Sequence, residues 1–129
     1  MVNCLFVRRV ESGDLVSGAR TAVAMPFGSG VYVLLGGRMQ RTAGAGVGAW
    51  SPRFYEAAAG SDLLTLFYAE TFNAAIAAPA WFDLADAAQT TLGIRYFQTD
   101  KSGNIYIDPN QAAGADTWRA VLYVGWGMP

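Results

Sequence analysis

Thr117-Trp-Arg-Ala-Val-Leu-Tyr-Val-Gly-Trp126 is the stretch that decides the fold. Aromatic and β-branched residues dominate it, and these favour a pleated backbone. Val121 and Tyr123 fall on one side of such a strand, Leu122 and Val124 on the other. Both sides are apolar, which predicts a strand that is central or sandwiched between layers.

Working backwards, Gly93 to Thr99 and Asn104 to Asp108 flank Asp100-Lys101-Ser102-Gly103. That is the signature of a hairpin with a short glycine-containing loop. Segment 62–91 is open to two readings. Leu64, Leu66 and Tyr68 alternate as in a strand, yet Leu64, Tyr68, Phe72 and Ile76 are spaced by four, as on a helix face. A strand over Leu63 to Thr71 is favoured, and Ala80 to Thr91 reads as a helix. Ser51-Pro52 looks like a helix start, predicting one or two turns over Pro52 to Ala59 before Gly60.

Nearer the start, Asn3 to Val10, Ala19 to Met25 and Val31 to Leu35 read as strands punctuated by glycine, proline, aspartate and serine. Gly36-Gly37 allows a bulge or bend, after which the strand resumes through Arg38 to Arg41. Ala43 to Ala49 reads as a flexible loop. Seven or eight short strands in one domain, residues 1–129, predict a mainly β fold: a β-sandwich or jelly-roll-like domain with one or two short helices. An α+β fold using 62–91 as helices is the alternative.

Composition points to buried inter-subunit surface. Of 129 residues, 53% are hydrophobic and 15% charged, against about 25% charged in ordinary soluble domains. The bland explanation is abundant alanine and glycine. The other is that part of the surface faces protein. A membrane span is not read, because the longest apolar stretch, Ala74 to Phe82, is broken by Pro79 and is too short. Arg8 and Arg9 follow the short apolar run Cys4 to Val7 rather than precede it, so no secretory signal is read. One cysteine excludes an internal disulfide framework. A net charge of −1 gives no field to attract nucleic acid.

Several chemistries are missing from the inventory. There is no histidine, which removes the commonest general base and most zinc sites. Lys101 sits at a turn tip, where solvent keeps a lysine ordinary. Gly44-Ala45-Gly46-Val47-Gly48-Ala49 fits a loose dinucleotide pattern, but Trp50-Ser51-Pro52 breaks the helix that must follow. Asp83 and Asp86 near a helix start serve its dipole more readily than a glycosidase pair. Asp100 to Gln111 lacks the calcium-loop glycine and glutamate. No catalytic, metal-binding or cofactor-binding residue is assigned, and the chain is expected not to be an enzyme.

The chain closes Val124-Gly125-Trp126-Gly127-Met128-Pro129, with no polar tail. Docking onto a neighbouring subunit is the expectation, against a Trp126 folded back on its own core. In style the chain resembles small virion proteins of tailed bacteriophages. These are histidine-poor, strand-rich chains of this length, and include capsid decoration (cement) proteins and fibre or tail-tip domains. Trp118 to Trp126 is similar to the last strand of many fibre-tip sandwiches. The resemblance implies a structural subunit of a virion, assembled in the host cytoplasm and bound to copies of itself, a trimer favoured, and to a capsid or tail protein. The lack of a shaft or coiled coil turns the expectation toward head decoration. Phe6, Arg8, Trp126 and Met128, at the ends of terminal strands, are the expected contact residues. The alternative is a carbohydrate- or receptor-binding module, with Trp50 as its ligand platform beside the 43–50 loop. An aromatic residue in such a domain is more often core or interface.

Overall fold

The computed structural model describes residues 3–44, 50–69, 80–83, 95–110 and 116–128. They form ten strands: β1 (Asn3–Glu11), β2 (Leu15–Val16), β3 (Thr21–Ala24), β4 (Val31–Ala43), β5 (Arg53–Tyr55), β6 (Leu66–Ala69), β7 (Ala80–Asp83), β8 (Arg95–Gln98), β9 (Asn104–Asp108) and β10 (Thr117–Met128). One helical turn, α1 (Asp62–Thr65), precedes β6. The fold is mainly β, two antiparallel sheets packed as a sandwich.

The first sheet is organised by its two long strands. β10 pairs with β4 over nearly its whole length. The other side of β10 is taken by β1 and then by β2, and the other side of β4 by β8 and then by β7. The strand expected to be central is central. The second sheet runs β3-β9-β5-β6.

Alternation places the core. Trp118, Ala120, Leu122 and Val124 of β10, Tyr32, Leu34 and Met39 of β4, and Val10 of β1 line the inner face. Val23, Phe54, Tyr68, Ile105 and Ile107 face them from the second sheet. The valine, leucine, isoleucine, methionine and phenylalanine side chains among them each contribute roughly 1.5–3 kcal/mol when fully buried. The outward face of β10 differs from expectation. Val121 is buried, but Arg119 and Tyr123 are exposed, so that face is only partly covered. Gly36 sits at a register shift, where Val124 pairs with Leu34 and Tyr123 with Gly36. Leu35 is the extra residue, and the bulge lets a 13-residue strand bend without losing its partner.

Four expectations are corrected. Pro52 to Ala59 is not a helix: Arg53–Tyr55 is a strand pairing with β9 on one side and β6 on the other. Phe54 and Tyr55 are buried there, and burial between two strands outweighs a serine-proline start. Of Leu63 to Thr71, Leu66–Ala69 is strand and Asp62–Thr65 is the helical turn; residues 70 and 71 lie outside the described residues. The helix read over Ala80 to Thr91 begins as a strand, because Ala80–Asp83 pairs with Arg38–Arg41 of β4; residues 84–91 lie outside the description. Lastly, the turn at Asp100 to Gly103 does not join a hairpin. β8 pairs with β4 and β9 with β3 and β5, so the chain crosses there from one sheet to the other.

That crossing is held by one carboxylate. Asp100 accepts hydrogen bonds from the N–H groups of Ser102 (2.9 Å) and Asn104 (3.0 Å) and from the Tyr106 hydroxyl (2.6 Å). These bonds, the Tyr106 one foremost, hold its carboxyl below the ordinary value of 3.8. A depressed carboxyl stabilises the fold above its unfolded value, and that contribution is lost as pH falls through the folded one. Wild type should therefore lose urea resistance between about pH 5 and pH 3 more steeply than Asp100→Asn. Parallel acid limbs would count against the Asp100–Tyr106 bond. The same bond pushes the Tyr106 phenol above 10.0, so its contribution is present below that value and fades as pH rises past it.

Candidate assembly interface

At one end of the sandwich the inner face of β1 and β10 is closed by a turn rather than by the second sheet. Phe6 pairs in register with Trp126, and Arg8 with Val124. The turn after β3 carries Phe27 over them. Its ring stacks on Trp126 at 5.0 Å and meets Phe6 at 5.6 Å. The Arg8 guanidinium lies 5.6 Å from the Phe6 ring and 5.3 Å from the Phe27 ring.

Phe27 is held from three sides. The Met25 N–H donates to the Gly103 carbonyl (2.8 Å), which ties this turn to the Asp100 crossing. The Phe27 N–H donates to the Tyr32 hydroxyl (3.0 Å), and that hydroxyl donates to the Gly28 carbonyl (2.8 Å). Burial pushes the Tyr32 phenol above its ordinary value, partly offset by the bond from Phe27. Gly103 is required where the turns meet: its φ is +83°, and a Cβ there would lie 2.9 Å from the Gly28 carbonyl carbon. The aromatic contact is thus set on a braced support.

Three of the four expected contact residues converge here. Phe6 is 46% and Trp126 37% exposed although both belong to the cluster. Met128 pairs with Asn3 at the end of the β1–β10 ladder; its side chain lies outside the described residues. Trp50 is placed elsewhere. It is 2% exposed and stacks on Trp118 at 4.2 Å. A ring enclosed in the core has no face to offer a sugar, which corrects the ligand-platform expectation.

Sequence reasoning missed Phe27. Its signal was an aromatic residue set between Pro26 and Gly28, in a turn where no strand face can bury it. It also missed α1. Arg20 and Arg53 both reach Asp62, at 3.7 and 2.7 Å, and Arg20 caps the Tyr55 ring at 3.6 Å. The clamped turn presents Leu63 and Leu64, 93% and 80% exposed. Because neither leucine is buried, Leu63→Ser and Leu64→Ser should each change folding stability by no more than about 0.5 kcal/mol in urea titration. A loss of 2 kcal/mol or more, the scale of a core residue, would contradict that placement.

The cluster offers aromatic faces, one guanidinium and apolar area. That combination suits contact with protein: interfaces are enriched in aromatic residues and arginine. Among the described residues no helix is long and apolar enough to cross a membrane. No protein-family model, curated protein or solved structure matches the chain.

Proposed function

We propose that this chain is a structural subunit of an assembly, a bacteriophage particle component of the capsid-decoration type, and not an enzyme. Copies of itself and a capsid or tail protein would be its partners. The observation that carries the assembly reading is the braced yet exposed cluster of Phe6, Phe27 and Trp126. Contiguous exposed apolar surface marks interaction sites, and a cluster fixed in place before binding loses less entropy on association. The virion part of the reading is supported by the sandwich fold together with the histidine-free, charge-poor composition.

Light scattering after size exclusion tests the assembly. Wild type should elute at a multiple of 13.8 kDa. Phe6→Ser/Trp126→Ser should return it to one chain with its near-ultraviolet dichroism largely kept. A wild-type monomer at tens of micromolar overturns self-association. Absence of the chain from purified particles overturns the virion reading.

A further inference from the structure

The chain carries a second exposed apolar patch, and it complements the aromatic cluster. Leu63 and Leu64 of α1 are the most exposed large apolar side chains among the described residues, and Ala58 and Ala59 beside them are exposed too. This tip is braced as the cluster is. The Leu64 and Thr65 N–H groups both donate to the Ser61 carbonyl (3.1 Å each), and the Thr65 hydroxyl donates to it as well (2.8 Å). The Arg20 guanidinium donates to the Gly60 carbonyl (2.8 Å) and to the Ala57 carbonyl (3.1 Å). Leucines held on so fixed a turn lose little freedom on docking.

Charge tells what each patch takes. At the cluster, Arg8 donates to the Val7 carbonyl and lies beside two rings, and no carboxylate among the described residues pairs with it. Other described carboxylates are committed: Glu11 to Arg9, Asp14 to Arg119, Asp116 to Arg41, and Glu56, Asp100 and Asp108 to backbone N–H groups. Asp62 stands directly before the two leucines. Its Oδ2 holds Arg53 at 2.7 Å, but its Oδ1 lies 3.7 Å from Arg20, too far for a hydrogen bond, and the side chain is half-exposed. A leucine pair beside an open carboxylate oxygen matches an aromatic corner beside an open guanidinium.

We propose that the α1 tip of one copy docks on the Phe6, Phe27 and Trp126 cluster of the next, with Asp62 meeting Arg8. This rests on the assembly reading above and gives its cluster an occupant. Cluster against cluster would bring two Arg8 guanidiniums together, and tip against tip two Asp62 carboxylates, so like charge disfavours either patch meeting itself. The two patches belong to different sheets: the tip is clamped to the second by Arg20 and Arg53, and the cluster is built on β1 and β10 of the first. A copy whose tip is engaged by one neighbour still offers its cluster to another. Such head-to-tail contacts make rings when the rotation closes, and the trimer that the virion resemblance implies is a ring of this kind.

Two variants separate this contact from a symmetric one. Leu63→Ser/Leu64→Ser removes the tip, and Phe6→Ser/Trp126→Ser removes faces of the cluster. Light scattering should find each variant alone at 13.8 kDa, with the dichroism of a folded chain. An equal mixture of the two at hundreds of micromolar should give a species of two chains and nothing larger, because one intact tip and one intact cluster remain. A tip variant that keeps the wild-type mass, beside a monomeric cluster variant, overturns the tip as occupant and keeps the assembly reading. Two monomeric variants whose mixture stays monomeric overturn the head-to-tail contact. A wild-type monomer, or a cluster variant of wild-type mass, overturns both readings.

Discussion

Trp118→Ala should lower folding stability by about 3–5 kcal/mol, the scale of a large aromatic side chain removed from a core. Trp118 sits where three strands meet. It pairs in register with Leu15 of β2 and Arg41 of β4, faces inward, and stacks on Trp50 at 4.2 Å with the rings 23° apart. Removing it deletes the buried area and leaves the inner face of Trp50 without its partner. Native domains hold only about 5–15 kcal/mol in total, so one substitution takes a large share. With a urea slope of about 1–3 kcal/mol/M, the midpoint should fall by at least 1 M. Tyr123→Ala is the control. Tyr123 lies on the same strand but faces outward and is exposed, and its loss should cost under about 1 kcal/mol. Equal costs at both positions would refute the inward and outward assignment of β10. A Trp50→Ala/Trp118→Ala cycle should show coupling of about 0.5–1.5 kcal/mol from the stack.

The central strand was legible because its signal is local. Eight consecutive residues, Thr117 to Val124, contain no turn residue, and aromatic and β-branched side chains predominate among them. The bulge at Gly36 was legible for the same reason, since glycine is the residue that permits one. The errors share a different cause. β5 and β7 are three and four residues long, too short for any period to show. They become strands because β9, β6 and β4 offer them backbone partners, information that lies far away in sequence. The Asp100 turn is legible from its own residues, but which sheet each flank joins is set by the whole packing.

The candidate interface was legible in part. Phe6, Arg8 and Trp126 stand near the ends of terminal strands in the sequence, and antiparallel pairing of those strands brings them together. Phe27 reaches them from a turn between two other strands, through bonds to Gly103 and Tyr32 that no short-range pattern encodes. Trp50 was misplaced because a tryptophan after a glycine-rich stretch looks exposed in sequence. Its true neighbour, Trp118, is 68 positions further along the chain.

The second large effect belongs to a charge in that same region. Arg41 Nη1 and Asp116 Oδ2 lie 3.0 Å apart, and both side chains are buried. Arg41 is on the inward side of β4, opposite Trp118. Gly44 makes room for the pair: a Cβ there would overlap the Asp116 carboxylate, and its φ of +105° suits glycine. Taking two charges out of water is costly, and their attraction repays it only while both are present. Asp116→Ala should therefore cost about 3–5 kcal/mol in urea titration, because it removes the carboxylate that faces a buried guanidinium. Arg41→Met/Asp116→Leu removes both charges and should recover most of that loss, since replacing a buried pair with apolar groups is often neutral or better. The double variant separates two roles. If it regains stability, the pair fixes how the ends of β4 and β10 meet at a net cost. If it stays as weak as Asp116→Ala, the pair is itself a source of stability, and the strand ends depend on its hydrogen bonds. A cost below about 1 kcal/mol for Asp116→Ala would show that water reaches the site and that this end of the sandwich is open.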